Sequence, residues 1–422
     1  MSERTPMSRS PALRKFIHEA DKGDLYQALP FSDLRRWFSD TSIYVQALSV
    51  PALSRLGQLK PIGFLSYLGP ETSRNIKSLI GYHHTRYEHS LAVGFVGETI
   101  GKNNRLSQHE IMILRLGGFF HDVGTPAFGD TIKQLDPKNL NEEDFWWEAL
   151  GEKGQAFVRR FTNRETLDKV IKNEGVLGEI LDIADRITYT MNDLYAVQHT
   201  ARSNPLAEKI NIVLSVYPKI GNVYKDVCID KTNRTVFFKD PDRLYAFLKI
   251  RAILHKELYL HPISQGRELF LTKAVEHLYS PANGPLTPSL LRKIGDHQLL
   301  LILQETYPET FMQDSDYHIR NWFPFFERFE TEEEAKQKEK ELEEQKDILV
   351  VGIKPRRSFN AGVSYKVTNQ DGSIVLFSAA KPKETQELQE MGESTKGIFL
   401  FWADISEDNP TNTLLKAVLK NN

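Results

Sequence analysis

Cysteine is almost absent. Cys228 is the only one in 422 residues, which excludes an internal disulfide and any structural zinc site built on two or more thiolates. Long apolar runs are missing too; no stretch approaches the roughly 18 consecutive apolar residues that a membrane span requires. Neither sign of charge dominates, with 54 Lys and Arg against 56 Asp and Glu. The chain therefore has no global field for nucleic acid or an anionic membrane, and any phosphate-binding charge must be local. The segment Met1–Phe16 is rich in Ser and Arg and has no apolar centre, unlike a secretory leader. These absences lead to the expectation of a soluble cytoplasmic protein without membrane or nucleic-acid partners. Gly97-Glu-Thr-Ile-Gly-Lys102 only mimics a phosphate loop, being one residue short of G-x-x-x-x-G-K and lacking the hydroxyl residue after it. No internal repeat is present.

What the chain has in abundance is helical periodicity. From about residue 30 to 325 apolar residues recur at 3.6-residue spacing. Ser107 and Glu110 form an S-x-x-E capping box ahead of Ile111, Leu114 and Leu116. That helix has to end near Gly124 and Pro126, just after His121-Asp122. Further helices are expected from Val176 to Val197 and from Arg243 to about His261, before Pro262. Tyr224–Ile229 and Thr235–Phe238, separated by Asp230–Arg234, read as a β-hairpin inserted among helices. Residues 330–346 interleave both charges at i,i+4 spacing, the pattern of a solvated connector helix. Beyond it, Asp347–Ile353, Val363–Val367, Ser373–Ser378 and Gly397–Trp402 are strand candidates, with a helix near Glu384–Met391. The fold class expected is mainly α: a helical domain over 1–328, a connector over 329–346 and a small α+β module over 347–422.

Three segments concentrate chemistry: His83-His-Thr-Arg-Tyr-Glu-His-Ser90, His121-Asp-Val-Gly-Thr-Pro-Ala-Phe-Gly-Asp130 and Ala184-Asp-Arg-Ile-Thr-Tyr-Thr-Met-Asn-Asp193. The third puts Asp185, Tyr189 and Asp193 on one helical face. Imidazole and carboxylate donors together suit a divalent transition metal such as Mn, Fe, Co, Ni or Zn, with Mg as a further option, leaving positions for water or a phosphate oxygen. Side chains of neighbouring helical residues diverge by about 100°, so His121 and Asp122 can serve one ion only where a helix stops. A later stripe of Arg251, His255 and Tyr259 repeats at i,i+4 beside apolar Leu248, Ile253 and Leu258.

In order and spacing these motifs resemble the HD-domain phosphohydrolases. Within them the sequence is most similar to the deoxynucleoside triphosphate triphosphohydrolases, over roughly residues 45–280. The resemblance implies an HD-type helical bundle and the metal set His89, His121, Asp122 and Asp185. It further implies phosphate contacts from Arg86 and Arg186, and contacts to the α-phosphate region and sugar from Tyr189 and Asp193. A pocket helix would carry Arg251, His255 and Tyr259. A nucleotide substrate or ligand and a homo-oligomer are implied as partners. The chain departs from the family at Thr125 and Asp130, where His or Asn and His are common. Near Glu142-Glu143 a His–Glu pair is common, and near Pro61 one branch carries a sugar-binding Gln. Asp130, Glu142 and Glu143 are therefore the candidate acid–base groups, since burial can raise a carboxyl pKa into a useful range.

The leading expectation is a metal-dependent dNTP triphosphohydrolase giving deoxynucleoside and triphosphate. Another nucleotidase or phosphodiesterase, or a catalytically impaired nucleotide-binding regulator, are the alternatives. His83 and His84 are expected to cap or orient the helix of His89, and His109 to be solvated. Trp146-Trp147 and Trp322-Phe-Pro-Phe-Phe326 are expected in core or subunit packing. Lys354-Pro-Arg-Arg357 is a basic cluster too short to indicate nucleic acid.

Overall fold

The computed structural model describes residues 42–47, 49–61, 84–200, 205–217, 220–282, 284–307, 324–356, 358–406 and 416, 418 and 419. His83, Trp322, Phe323 and Arg357 lie outside the described residues, as does the segment 1–41. The fold is mainly α, and its organising feature is a close crossing of two capped helices. Helix Arg86–Asn103 begins at Thr85, whose hydroxyl accepts from Glu88 N while the Glu88 carboxylate accepts from Thr85 N at 2.7 Å. Helix Gln108–Phe120 begins with the expected Ser107–Glu110 box. Each box satisfies N–H groups that a helix start otherwise leaves unpaired. The two helices meet at Gly94 and Gly118, where a Cβ on Gly118 would fall 2.2 Å from Gly94 N. Only the missing side chains allow the backbones to come so near. Helix Gly175–Thr200 packs across both, burying Ile180, Ile183, Ile187 and Met191.

Around this triple contact the core is filled by Phe119, Phe120, Phe128, Trp146 and Phe157. Trp146 and Trp147 meet edge to face, and Trp146 donates Nε1–H to Asp168, as a core reading of that pair requires. His109 is exposed. Helix Pro241–Leu254 passes into a π-turn over His255–Tyr259 before Pro262 starts the next helix, Pro262–Glu276.

Among the described residues seven strands form two sheets. In one, β1 (Val227–Asp230) and β2 (Thr235–Phe238) make the antiparallel hairpin, and β5 (Lys366–Thr368) and β6 (Ile374–Leu376) extend it, in the order β1-β2-β5-β6. In the other, β7 (Gly397–Asp404) lies between β3 (Phe325–Phe329) and β4 (Ile348–Arg356), antiparallel to both.

Two features differ from the sequence reading. The first hairpin strand starts at Val227; residues Ile220–Asp226 wind as a 3-10 turn. The Asn104 side chain closes the outer edge of β1, donating to Val227 O and accepting from Ile229 N, both at 2.8 Å. Nor does the C-terminal segment stand apart at residue 347. The inserted hairpin continues into it through the parallel pair Phe238↔Val367, and β3 from before the connector pairs with β7. The connector helix, Glu332–Glu343, is exposed over most of its surface but buries Ala335 and Leu342 against the second sheet.

Candidate metal centre and its cavity

His121 is the C-cap of helix Gln108–Phe120 and keeps αR geometry, after which the chain turns through Gly124 and Pro126. The helix thus stops one residue before Asp122, which lets both neighbours face one point. His89 comes from the crossing helix and Asp185 from the helix across both. His89 Nε2 lies 2.8 Å from Asp185 Oδ1, and His121 Nε2 lies 3.7 Å from the same oxygen. Asp122 Oδ2 is 3.8 Å from the Nε2 atom of each imidazole. His89, His121 and Asp185 form a group whose donor atoms all lie within 4.8 Å of one another.

The protonation pattern suits a cation. His121 Nδ1 sits 2.9 Å from the carbonyl oxygen of Gly118, which can only accept, so Nδ1 carries the hydrogen. In the neutral ring Nε2 then presents a lone pair to the centre, and it is buried without a hydrogen-bond partner. Fixing the tautomer through a backbone carbonyl is the usual way a metal-binding imidazole is oriented. Burial alone would lower the His121 pKa, yet the carboxylates of Asp122 and Asp185 raise it to about 9, so they favour a positive charge at Nε2, a proton or, in its place, a metal ion. Burial opposes ionisation of Asp122, but Arg86, His121 and His89 hold it at about 2, and the two imidazoles keep Asp185 well below the usual carboxyl range. Two ionised carboxylates around an unpartnered buried nitrogen fit a divalent transition metal.

Arg86 Nη1 donates to Asp122 Oδ2 at 2.9 Å, and Nη2 donates to Pro61 O at 3.3 Å. Gly129 holds a φ of +49°, and a Cβ there would lie 2.8 Å from Arg86 Nη2. Its bare backbone is what lets the loop after Asp122 close over the guanidinium.

The centre opens into a cavity of about 770 Å³. Arg86, Asp130, Glu142, Glu143, Tyr189, Asp193, Arg251, His255 and Tyr259 all line it. Arg251 donates Nε–H to Tyr189 Oη and Nη1–H to Asn360 O, the latter at 2.9 Å. Tyr259 donates to Asp193 Oδ2, and His84 Nε2 stands 3.4 Å from Asp193 Oδ1. His255 is stacked on Phe359 with ring centroids 4.0 Å apart. Burial, with Arg251 and Arg186 nearby, pushes the His255 imidazole well below its ordinary pKa. The π-turn draws His255 and Tyr259 into edge contact at 4.9 Å where a plain i,i+4 stripe was expected.

Arg186 is the exception among the expected site residues. Its Nε–H donates to Asp182 Oδ1 at 2.9 Å, and it is not among the residues lining the cavity. Of the acid–base candidates, Asp130 is largely exposed, 3.7 Å from Arg86, whereas Glu142 pairs with Lys133 at 2.8 Å. Burial raises the pKa of both Glu142 and Glu143.

The sequence reading missed one wall entirely. Gln265 and Glu268 enter the cavity from helix Pro262–Glu276, and Lys354, Arg356, Phe359 and Asn360 from the end of β4 and the loop beyond it. Lys354-Pro-Arg-Arg357 had drawn notice only as a charge cluster, and nothing local in it points to a pocket some hundred residues earlier in the chain.

Residues 86–190 match the family model described as HD domain. The chain is 23% identical over 144 residues to the mouse deoxynucleoside triphosphate triphosphohydrolase SAMHD1, covering 32% of this chain and 20% of that protein. It is 25% identical over 185 residues to a deoxyguanosinetriphosphate triphosphohydrolase-like protein of Clostridium tetani, covering 38% of this chain and 51% of the relative. The chain thus spans about half of one of these curated relatives and a fifth of the other. Its fold is shared with the crystal structure of a phosphohydrolase from Bacteroides thetaiotaomicron, with TM-score 0.59, 14% identity, and coverage of 86% of this chain and 96% of the other. Among the described residues no helix is long and apolar enough to cross a membrane. The His89, His121 and Asp185 group falls inside the matched region: this chain contains an HD domain over residues 86–190.

Proposed function

We propose that the protein is a metal-dependent phosphohydrolase acting on a deoxynucleoside triphosphate, releasing deoxynucleoside and triphosphate. The observation that carries this reading is one cavity holding both the His89, His121 and Asp185 donor group and the pairs Arg86–Asp122, Arg251–Tyr189 and Tyr259–Asp193. His89, His121, Asp122 and Asp185 would hold a divalent ion such as Mn, Fe, Co, Ni, Zn or Mg. When bound, such an ion acts as a Lewis acid that makes water more acidic and withdraws charge from a phosphoryl oxygen.

The chain's own residues account for the rest. Arg86 and Arg251 neutralise phosphate oxygens, each such charge-assisted contact contributing about 1.5–3 kcal/mol. Asp193, held by Tyr259, accepts from a sugar hydroxyl. Water adds to the α-phosphorus, the bond from phosphorus to the 5′ oxygen breaks, that oxygen takes a proton from Glu142 or Glu143, and the proton given up by the added water restores the carboxylic acid. The names of the mouse and Clostridium tetani relatives support this choice of substrate.

A second reading, another nucleotidase or phosphodiesterase, has one observation in its favour. At the sugar-side position Pro61 offers a carbonyl that already accepts from Arg86, with no side-chain amide.

The test is a turnover panel of nucleotides with Mn, Fe, Co, Ni, Zn or Mg, together with elemental analysis of wild type and His121→Ala. Triphosphate release and loss of metal in the variant are expected. Monophosphate release would select the second reading. Tight nucleotide binding without turnover under every metal would leave a sensor in place of an enzyme.

A further inference from the structure

The cavity wall supplied by the C-terminal segment is fastened at several points. Arg356 donates to Leu260 O and, through Nε and Nη2, to Thr395 O at 3.1 and 2.8 Å. Arg251 donates to Asn360 O, and Phe359 lies flat on His255. The guanidinium of Arg356 is thus occupied by backbone carbonyls, and its role is to bind the strand to the pocket helix. Lys354, two residues earlier on β4, is different. Its side chain is 13% exposed, it lines the cavity, and its ammonium meets the Glu268 carboxylate at 3.4 Å. Glu268 Oε2 is shared with Gln265 Nε2 at 3.0 Å. An ammonium has three donors, and the pair with Glu268 is long for a charge-assisted bond.

Position decides what Lys354 faces. One turn beyond Glu268 its helix meets the start of helix Asp130–Lys133, Thr272 Oγ1 donating to Thr131 O at 3.3 Å, and Asp130 lies 3.7 Å from Arg86; one turn before Glu268, Gln265 donates to Tyr259 O at 2.7 Å. Lys354 therefore stands on the cavity wall between the Arg86–Asp130 pair and the Tyr259 backbone. A phosphate chain that begins between Arg86 and the His89, His121 and Asp185 group and extends along this wall meets a nearly buried, loosely paired cation.

We propose that Lys354 binds the distal phosphates of the substrate and makes the cavity select triphosphates over monophosphates. This rests on the nucleotide reading above. Removing Lys354 alone would strand Glu268, so the informative variant is the double substitution Lys354→Gln/Glu268→Gln, which keeps a neutral hydrogen-bonding pair. Calorimetry compares an α,β-imido deoxynucleoside triphosphate, the matching monophosphate and inorganic triphosphate. Folded double variant, checked by circular dichroism, is expected to lose roughly ten- to hundredfold in affinity for both triphosphates and to bind the monophosphate as wild type does. Lys354→Arg is expected to retain triphosphate affinity. Wild-type triphosphate affinity in the double variant overturns the assignment, as does an equal loss for monophosphate. If wild-type protein binds none of the nucleotides with any metal, the nucleotide reading itself falls and takes this one with it.

Discussion

Glu142 combines two physical roles in one side chain. With Glu143 and Asp144 it occupies the first turn of helix Glu142–Arg159, where negative charge is favoured by the helix dipole. It also reaches the cavity, where its Oε1 pairs with Lys133 and its Oε2 is buried without a hydrogen-bond partner. Burial, and then the charge of Asp130, raise its pKa, while Lys133 pulls the other way. An acid must be protonated to donate, and a raised pKa keeps it protonated to higher pH than an ordinary carboxyl. Turnover is therefore expected to fall as pH rises through that raised value. Glu142→Gln should remove this limb of the pH–rate profile and lower kcat by about 10²–10⁴-fold, while calorimetric nucleotide affinity and metal content persist. An unchanged rate and profile would restrict Glu142 to its place in the helix start. Asp130, Glu142 and Glu143 were legible as candidates because carboxylates stand where the resemblance implies a histidine and a His–Glu pair. Their ranking was not, since it depends on Asp130 being exposed and Glu142 being enclosed.

Among elements, the crossing of helices Arg86–Asn103 and Gln108–Phe120 sets the metal centre. It brings His89 to His121, with ring centroids 5.4 Å apart. Gly118 serves this crossing twice, through its missing Cβ and through its carbonyl, which accepts from His121 Nδ1. Gly118→Ala places a methyl group inside the Gly94 backbone, and overpacking of that kind costs about 1–3 kcal/mol or more. The urea midpoint is expected to drop accordingly, and elemental analysis should show reduced metal as His121 shifts. A midpoint equal to wild type would mean that the helices separate without strain. The Ser107–Glu110 box was readable because its three-residue spacing is local, and Thr85–Glu88 carries the same signature. The π-turn at His255–Tyr259 was not readable: a wider turn costs local hydrogen-bond geometry and is retained by packing, here against Phe359.

At the scale of the whole molecule, helical and α+β parts share hydrogen bonds, an electrostatic network and a cavity. The parallel pair of β2 with β5, the bonds of Arg251 to Asn360 O and Arg356 to Leu260 O, and the pair of Tyr245 with Glu387 all cross the boundary drawn at residue 347. Parts joined in this way lose their contacts together. Differential scanning calorimetry of the full chain is therefore expected to show one cooperative transition. Two resolved transitions, one surviving in a chain cut within the connector helix, would show that the parts fold independently.

Local order determined what the sequence declared by itself. Capping boxes, the end of a helix at His121 and the spacing of Asp185, Tyr189 and Asp193 are all set by residues within a turn or two of one another. Chemistry carried by residue type, imidazole and carboxylate in family order, was equally visible. The tertiary structure alone decided which side of its helix Arg186 presents, which carboxylate is enclosed, and that residues 354–360 face Arg251 and Glu268. Those outcomes depend on how distant segments bury one another's surface. That interaction has no period and no fixed separation along the chain, so no pattern within the sequence reports it.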